Sequence, residues 1–433
     1  MSIGRLTPSP CAIPGTPLAN ASAGIDACVH CGFCLQACPT YLTLEDENDS
    51  PRGRIVLMRA LVEGSLPVDD PDVRTHIDRC LGCRACETAC PSGVPYGHLL
   101  EATRATLTKV QPNPPIARLL LFIFARGWLT RLLMLGGRVT RRLRFSRLLA
   151  HLPGRLGFAM AMLESSRPAI EKQRYAPRTN GSRGTATLLS GCVMEGLFTE
   201  TNRATERVLL ANGYAVQPTA GQRCCGALHA HAGDDATARA LARANVAAFE
   251  RTGADVIVVN AAGCGAMMKE YAQLLAEDAN WSARAARVAA RVRDVSEVLA
   301  EAGPLPGGAL AVTVTYDAPC HLLHAQRLAA PPLRVLAAVP GLTMVALEGS
   351  EHCCGAAGIY NLVEPMTSDK VLAPKLQNIA ATRAPFVTTG NPGCLMQIGA
   401  GMHHARIDAR TIHPVDLLDA SYGAAGPTGP TAA

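Results

Sequence analysis

Cys28-Val29-His30-Cys31-Gly32-Phe33-Cys34-Leu35-Gln36-Ala37-Cys38-Pro39 is answered by Cys80-Leu81-Gly82-Cys83-Arg84-Ala85-Cys86-Glu87-Thr88-Ala89-Cys90-Pro91. Each run spaces three cysteines by two residues and sets a fourth, followed by proline, four positions further on. Three thiolates so spaced can wrap one [4Fe-4S] cubane, and the fourth is led away to a neighbouring cluster. The reading assigns Cys28, Cys31, Cys34 and Cys90 to one cluster and Cys80, Cys83, Cys86 and Cys38 to the other. This crossing staples two segments separated by 41 residues and places the clusters within electron-tunnelling reach. Zinc also accepts Cys-x-x-Cys pairs, but a four-cysteine run ending in Cys-Pro and occurring twice favours iron and sulfide.

The chain of 433 residues, 48% hydrophobic and 4% aromatic, has room for several domains with aliphatic cores. Among seventeen cysteines, thiolates committed to clusters predict a reducing, cytoplasmic setting, because an oxidising one would divert them into disulfides. The first twenty residues hold Pro8, Pro10, Pro14 and Pro17 and no apolar segment, so no secretory signal is expected. Cys11 in this tail reads as a bystander. Between Ala102 and Leu163 there is no Asp or Glu but eleven Lys or Arg, against a net charge of +6 for the whole chain. The longest apolar run there, Leu119 to Ala125, has seven residues, far short of the roughly 20 that span a bilayer. Leu, Phe and Trp128 interleaved with Arg suit a helix lying on an anionic lipid surface. A basic helical linker packed on the protein itself or on an acidic partner is the other reading. No nucleic-acid motif accompanies the charge, so nucleic acid is not expected as a partner.

From about Gly184 the chain repeats itself at an offset of 128 to 130 residues: Gly191-Cys192 with Pro319-Cys320, Cys224-Cys225-Gly226 with Cys353-Cys354-Gly355, and Gly263-Cys264 with Gly393-Cys394. Three anchored matches report a duplicated domain. Apolar patterning predicts strands at 185–190, 214–217 and 255–260, answered by 312–316, 343–347 and 385–389. Helices are predicted at 201–212 and 236–251, answered by 326–339 and 367–382. Such alternation implies a parallel sheet with ligands beyond the carboxyl ends of its strands, where every cysteine of the repeat falls. Adjacent side chains on extended backbone point apart, so each vicinal pair can share a site only in a tight turn, which Gly226 and Gly355 permit. Cys192, Cys224, Cys225 and Cys264, and likewise Cys320, Cys353, Cys354 and Cys394, are therefore candidate sets of four thiols. A cubane, zinc or a redox dithiol would each suit them.

The combination resembles iron-sulfur subunits that join a two-cluster helical ferredoxin to tandem cysteine-rich, CCG-type domains, a group that includes glycolate oxidase, anaerobic glycerol-3-phosphate dehydrogenase, lactate-utilisation and heterodisulfide reductase members. The likeness covers roughly residues 20 to 420. Pro39-Thr40-Tyr41, Ser50-Pro51-Arg52-Gly53-Arg54-Ile55, Gly390-Asn391-Pro392-Gly393-Cys394-Leu395-Met396-Gln397 and His413-Pro414-Val415-Asp416-Leu417-Leu418 bring it nearest to the glycolate oxidase type. The resemblance implies an α+β multidomain chain. Its parts would be a flexible tail (1–19), an α-helical ferredoxin domain with two [4Fe-4S] clusters (20–104), a basic helical linker (105–183), two α/β CCG domains (184–305 and 306–422) and a flexible tail (423–433). It further implies FAD-binding partner subunits that oxidise glycolate to glyoxylate, electrons passing through this chain to membrane quinone, and a cytoplasmic location peripheral to the inner face of the membrane. Lactate, glycerol 3-phosphate or a disulfide are the other substrates that the group offers. One departure is plain: heterodisulfide reductase-type domains end in Cys-x-x-Cys, whereas Met267 and Gln397 stand at those positions here.

No glycine-rich dinucleotide fingerprint, Walker A loop or Cys-x-x-Cys-His haem site occurs in the sequence. Oxidation of a hydroxy acid needs a hydride acceptor, so that step is expected on another polypeptide. His229, His231, His321, His324 and His352 crowd the cysteine motifs and read as hydrogen-bonded loop residues more readily than as ligands or proton carriers; His403, His404 and His413 have less claim. Arg52 and Arg54 read either as positive charge beside the clusters or as the start of a helix.

Overall fold

The computed structural model describes residues 11–177 and 181–430; parts of the two expected tails and of the linker (1–10, 431–433 and 178–180) lie outside the described residues. The described residues form two compact units, one within 11–115 with 229–235 and the other within 116–228 with 236–430.

The first unit is helical. Ser50 begins its central helix, Pro51–Glu63, by accepting a hydrogen bond from Gly53 N at 2.9 Å, with Pro51 in the first turn and Gly64 closing it at φ 76°, a Ser-Pro start and Gly stop that the sequence spells out. Leu18, Ile25, Met58, Leu61, Ile77, Leu99 and Leu107 form the core, and Cys80 and Cys86 border it. Cys38 lies at the N-terminus of helix Pro39–Leu44, so the proline that follows it turns the chain away from the cysteine run. Residues 11–19, expected as tail, are tied down instead. Ala12 N bonds Val62 O at 2.8 Å, and fully buried Leu18 donates to Thr106 Oγ1 at 3.1 Å. Two inward apolar residues, Ile13 and Leu18, among four prolines are too small a signal to read.

The second unit carries two four-stranded parallel sheets of identical order. β1 (Thr185–Leu188), β2 (Ala215–Gln217), β3 (Val256–Val259) and β4 (Val292–Asp294) run β2-β1-β3-β4. β5 (Thr313–Tyr316), β6 (Thr343–Val345), β7 (Phe386–Thr388) and β8 (Arg410–Ile412) run β6-β5-β7-β8. The duplication is thus one of topology as well as of sequence. β4 and β8 were not anticipated, because Val-Arg-Asp and Arg-Thr-Ile hold no apolar run. The helix expected over 326–339 is shortened to Ala330–Ala337, since Pro331 and Pro332 fit only a first turn, and a π-helical turn, His321–Ala325, precedes it.

The repeats share one core: Val208 and Val258 of the first meet Val335, Val415, Leu418 and Tyr422 of the second. Ion pairs from Lys172 and Arg207 to Asp419 border it. The basic segment forms helices Pro115–Ala125, Gly127–Arg142, Phe145–Leu149 and Gly154–Glu164. It is no free spacer, because Ala161 packs on Ala400.

Candidate metal centres

In both sheets the chain leaves the central pair of strands in opposite directions, which makes a topological switch point where a ligand crevice opens. Cys192 follows β1 and Cys264 follows β3 across that point; Cys320 and Cys394 repeat the arrangement after β5 and β7. The vicinal pairs arrive from the loops after β2 and β6. In the first set, Cys192 Sγ and Cys224 Sγ are 3.7 Å apart, and Cys225 contacts both Cys224 and Cys264. In the second, Cys354 Sγ and Cys394 Sγ are 3.3 Å apart, and Cys353 contacts Cys320 and Cys354. Each set therefore brings its four sulfurs together. Contact with Cys224 and burial push the Cys192 thiol well up, and contact with Cys354 and burial do the same to Cys394. Such thiols resist ionising singly, and a bound cation supplies the charge that lets them do so.

In the helical unit, a hollow is lined by Cys28, Cys31, Cys34 and Cys90, with Arg52, Ile55, Cys86 and Tyr96 around them. Burial pushes the Cys34 thiol up to about 11, Cys28 and Cys38 adding to it. Cys86 is driven well above the ordinary thiol range by burial and then by Cys83, Cys80 and Cys38; Cys38 thus lies near the second run as well as near Cys34 of its own. Gly82 N and Tyr96 Oη donate to Cys80 Sγ at 3.4 and 3.7 Å, and Thr40 Oγ1 lies 3.2 Å from Cys38 Sγ. Exposed Cys11 takes no part.

The chain matches the 4Fe-4S dicluster domain family over residues 24–94 and the cysteine-rich CCG domain family over 186–269 and 314–399. The probable glycolate oxidase iron-sulfur subunit of Bacillus subtilis is 36% identical over 90% of this chain and 92% of its own. The chain belongs to the family of glycolate oxidase iron-sulfur subunits. The Escherichia coli glycolate oxidase iron-sulfur subunit is 35% identical over 87% of this chain and 90% of its own. Lactate utilization protein A of Geobacillus kaustophilus is 28% identical over 54% of this chain and 98% of its own. Among solved structures, a hypothetical protein from Helicobacter pylori covers 75% of this chain and 72% of its own at TM-score 0.40 and 10% identity, too low to bear on the fold. Membership makes this chain an iron-sulfur, electron-transferring component of an oxidoreductase.

Several residues that shape the centres of this iron-sulfur subunit carry no motif. Asn245 Nδ2 donates to Cys224 O at 3.0 Å while its Oδ1 accepts from Arg223 N at 2.7 Å, and Tyr271 Oη donates to Cys225 O at 2.8 Å. In the second repeat Ser368 Oγ donates to Gly355 O at 2.9 Å and is held by Gln397 Nε2 at 2.9 Å. Gln397, standing where a fifth cysteine was lacking, thus fixes the cysteine turn. Asn391 joins the two sets: its Nδ2 donates to Cys394 Sγ at 3.5 Å and its Oδ1 accepts from Gly263 N, beside Cys264, at 3.3 Å.

Of the histidines, His321 Nδ1 lies 3.5 Å from Cys320 Sγ and His324 Nε2 lies 3.3 Å from Glu351 O. His229 is buried; His231 pairs with Glu101 at 2.9 Å and His352 with Glu351 at 3.7 Å. His403 and His404 meet edge to face, with ring centroids 5.6 Å apart. Buried His413 caps helix Pro414–Ala424, accepting from Val415 N at 3.1 Å and turning Nε2 to Asn260 O at 3.0 Å. Arg52 pairs with Glu47, whereas Arg54, wholly buried, donates to Thr40 Oγ1 at 3.1 Å, Asp49 Oδ1 at 3.2 Å and His76 O at 2.7 Å.

Gly226 and Gly355 adopt φ 93° and 84°, the left-handed conformation that the vicinal turns require. A Cβ would meet Ala238 O at 3.3 Å in the first and Ser368 O at 2.7 Å in the second. Gly355→Ala is expected to lower stability by about 1–3 kcal/mol and more than Gly226→Ala does, as checked by urea unfolding of the two variants.

Proposed function

We propose that this chain carries electrons from a flavoprotein that oxidises glycolate to glyoxylate towards membrane quinone, acting as the iron-sulfur subunit of a glycolate dehydrogenase. The hollow that brings Cys90 to Cys28, Cys31 and Cys34, with Cys38 near Cys86, supports the crossed assignment and carries the reading. Cys28, Cys31, Cys34 and Cys90 would hold one [4Fe-4S] cluster, and Cys80, Cys83, Cys86 and Cys38 the other. When bound, the clusters supply one-electron carriers. The residues around them set how readily they do so. Arg54 places a buried positive charge against Cys80 and Cys38, while Gly82 N–H and Tyr96 O–H stabilise the Cys80 thiolate. Ile55 and Tyr96 line the hollow with apolar surface that limits water. The domain boundaries proposed are 20–104, 105–183, 184–305 and 306–422.

The chain purified without oxygen together with its flavoprotein is expected to show reduced [4Fe-4S] signals by low-temperature EPR on adding glycolate. Signals obtained with dithionite but not with glycolate would overturn the substrate and leave the clusters. The two CCG sets are further proposed to hold metal. Iron and acid-labile sulfide should then exceed the roughly eight of each that two cubanes contain, unless zinc makes up the difference; eight of each with no zinc would refute the CCG centres.

A further inference from the structure

Thirteen of the 21 large hydrophobic side chains exposed among the described residues lie between Ile116 and Leu156, a concentration that scattered surface apolar residues do not produce. The four helices of this segment bury one face and leave the other open. Helix Pro115–Ala125 buries Ala117, Leu121 and Phe124, and helix Gly127–Arg142 buries Thr130 and Met134. On the second helix Trp128, Leu132, Leu135 and Val139 are exposed. They recur at i, i+4, i+7 and i+11 and form one stripe, turned away from Thr130 and Met134. Arg131, Arg138 and Arg142, all exposed, run along one edge of that stripe. No single helix among the described residues is long and apolar enough to cross a membrane. The first two pass that test only together, and they meet at 107°.

We propose that this open face lies in the headgroup layer of an anionic lipid bilayer, with the helices parallel to its plane. Charge complementarity selects the occupant: from Ala102 to Leu163 there are eleven basic residues and no acidic one, and lipid phosphates can meet arginines at any position along the stripe. A folded protein partner would need a carboxylate placed opposite each. The apolar residues continue through Phe145 and Leu148 to Leu156, interleaved with Arg144, Arg147 and Arg155, which is the basic-amphipathic composition of interfacial helices. Arg126 already lies over the exposed Phe122 ring at 3.6 Å, pairing a ring with a cation at the depth where headgroups would sit. The proposal rests on the electron-transfer reading only in that a quinone acceptor resides in the bilayer; lipid binding is measured without turnover, so either can fail alone.

The chain has two tryptophans, Trp128 and Trp281. The full-length Trp281→Phe protein therefore reports from Trp128 alone. With vesicles of equal phosphatidylglycerol and phosphatidylcholine, its emission is expected to shift to the blue and the protein to sediment with the lipid. Arg131→Glu with Arg138→Glu should weaken that binding at least tenfold, and Leu132→Ser with Leu135→Ser should abolish the blue shift. Circular dichroism and cluster absorbance would confirm that these surface variants fold. No shift with anionic vesicles, equal binding to pure phosphatidylcholine, or a shift produced only by the flavoprotein would each overturn the proposal, the last assigning the face to a protein.

Discussion

Cys83→Ser is expected to leave reduction of the partner's flavin by glycolate unchanged and to bring electron transfer beyond it down to the background of the flavoprotein alone. Cys83 is buried beside Cys80, Cys86 and Cys38. A serine there keeps the volume but removes the thiolate, and no free cysteine of that group can replace it. One of the two EPR signals should vanish and the other persist. Cys90→Ser should remove the opposite signal, because the crossed assignment gives Cys90 to the Cys28 run although it follows Cys86 in sequence. Loss of the same signal in both variants would refute the crossing. Flavin reduction falling in step with onward transfer would refute the division of labour between the subunits. Cys11→Ser, altering an exposed cysteine, should change neither activity.

The features that spacing can encode were legible. Eight cysteines in two runs announced the ferredoxin, and three matched landmarks announced the repeat, whose sheets follow the same strand order. What escaped depends on contacts made across the fold. β4 and β8 are three residues each and contain arginine, so only pairing to a buried neighbour makes them strands. Asn245 and Ser368 sit on helices with nothing local to mark them, and their value lies in reaching the backbone of a cysteine turn 21 and 13 residues away. The basic segment was legible in charge but not in packing: that one of its faces is buried could not be read, and this is what leaves the other as a single exposed surface. Lys375 is the clearest omission, since a lysine in a helix reads as solvated.

Lys375→Met is expected to destabilise the chain by about 3–5 kcal/mol, more than any surface substitution. The side chains of Lys375 and Asp317 are 1% and 2% exposed and form an ion pair, and Lys375 Nζ also donates to Gly349 O at 2.9 Å and Ser350 O at 3.3 Å. Methionine would leave the Asp317 carboxylate buried with Thr389 Oγ1, at 3.2 Å, still donating to it. Burial opposes the lysine charge, but Asp317, and after it Cys354 and Cys394, hold its pKa above the usual value. A base whose pKa is raised on folding contributes stability that is complete below its unfolded pKa and is lost as pH rises through the folded one. The pair should therefore be at full strength at neutral pH and weaken only in strong alkali. Removing both charges, Lys375→Met with Asp317→Leu, should recover most of the loss; no recovery in urea unfolding would show that the lysine's bonds to the 349–350 carbonyls, not the ion pair, carry the effect. The first repeat offers the control. Asn245 is the eleventh residue of helix Asp235–Glu250, as Lys375 is of helix Pro365–Thr382, and it supports its cysteine turn with no charge at all. The two thiol sets thus share a scaffold but differ by one buried ion pair, whose cation and anion both lie beside Cys354 and Cys394, so the second set gains rigidity from the pair without a net charge to favour reduction.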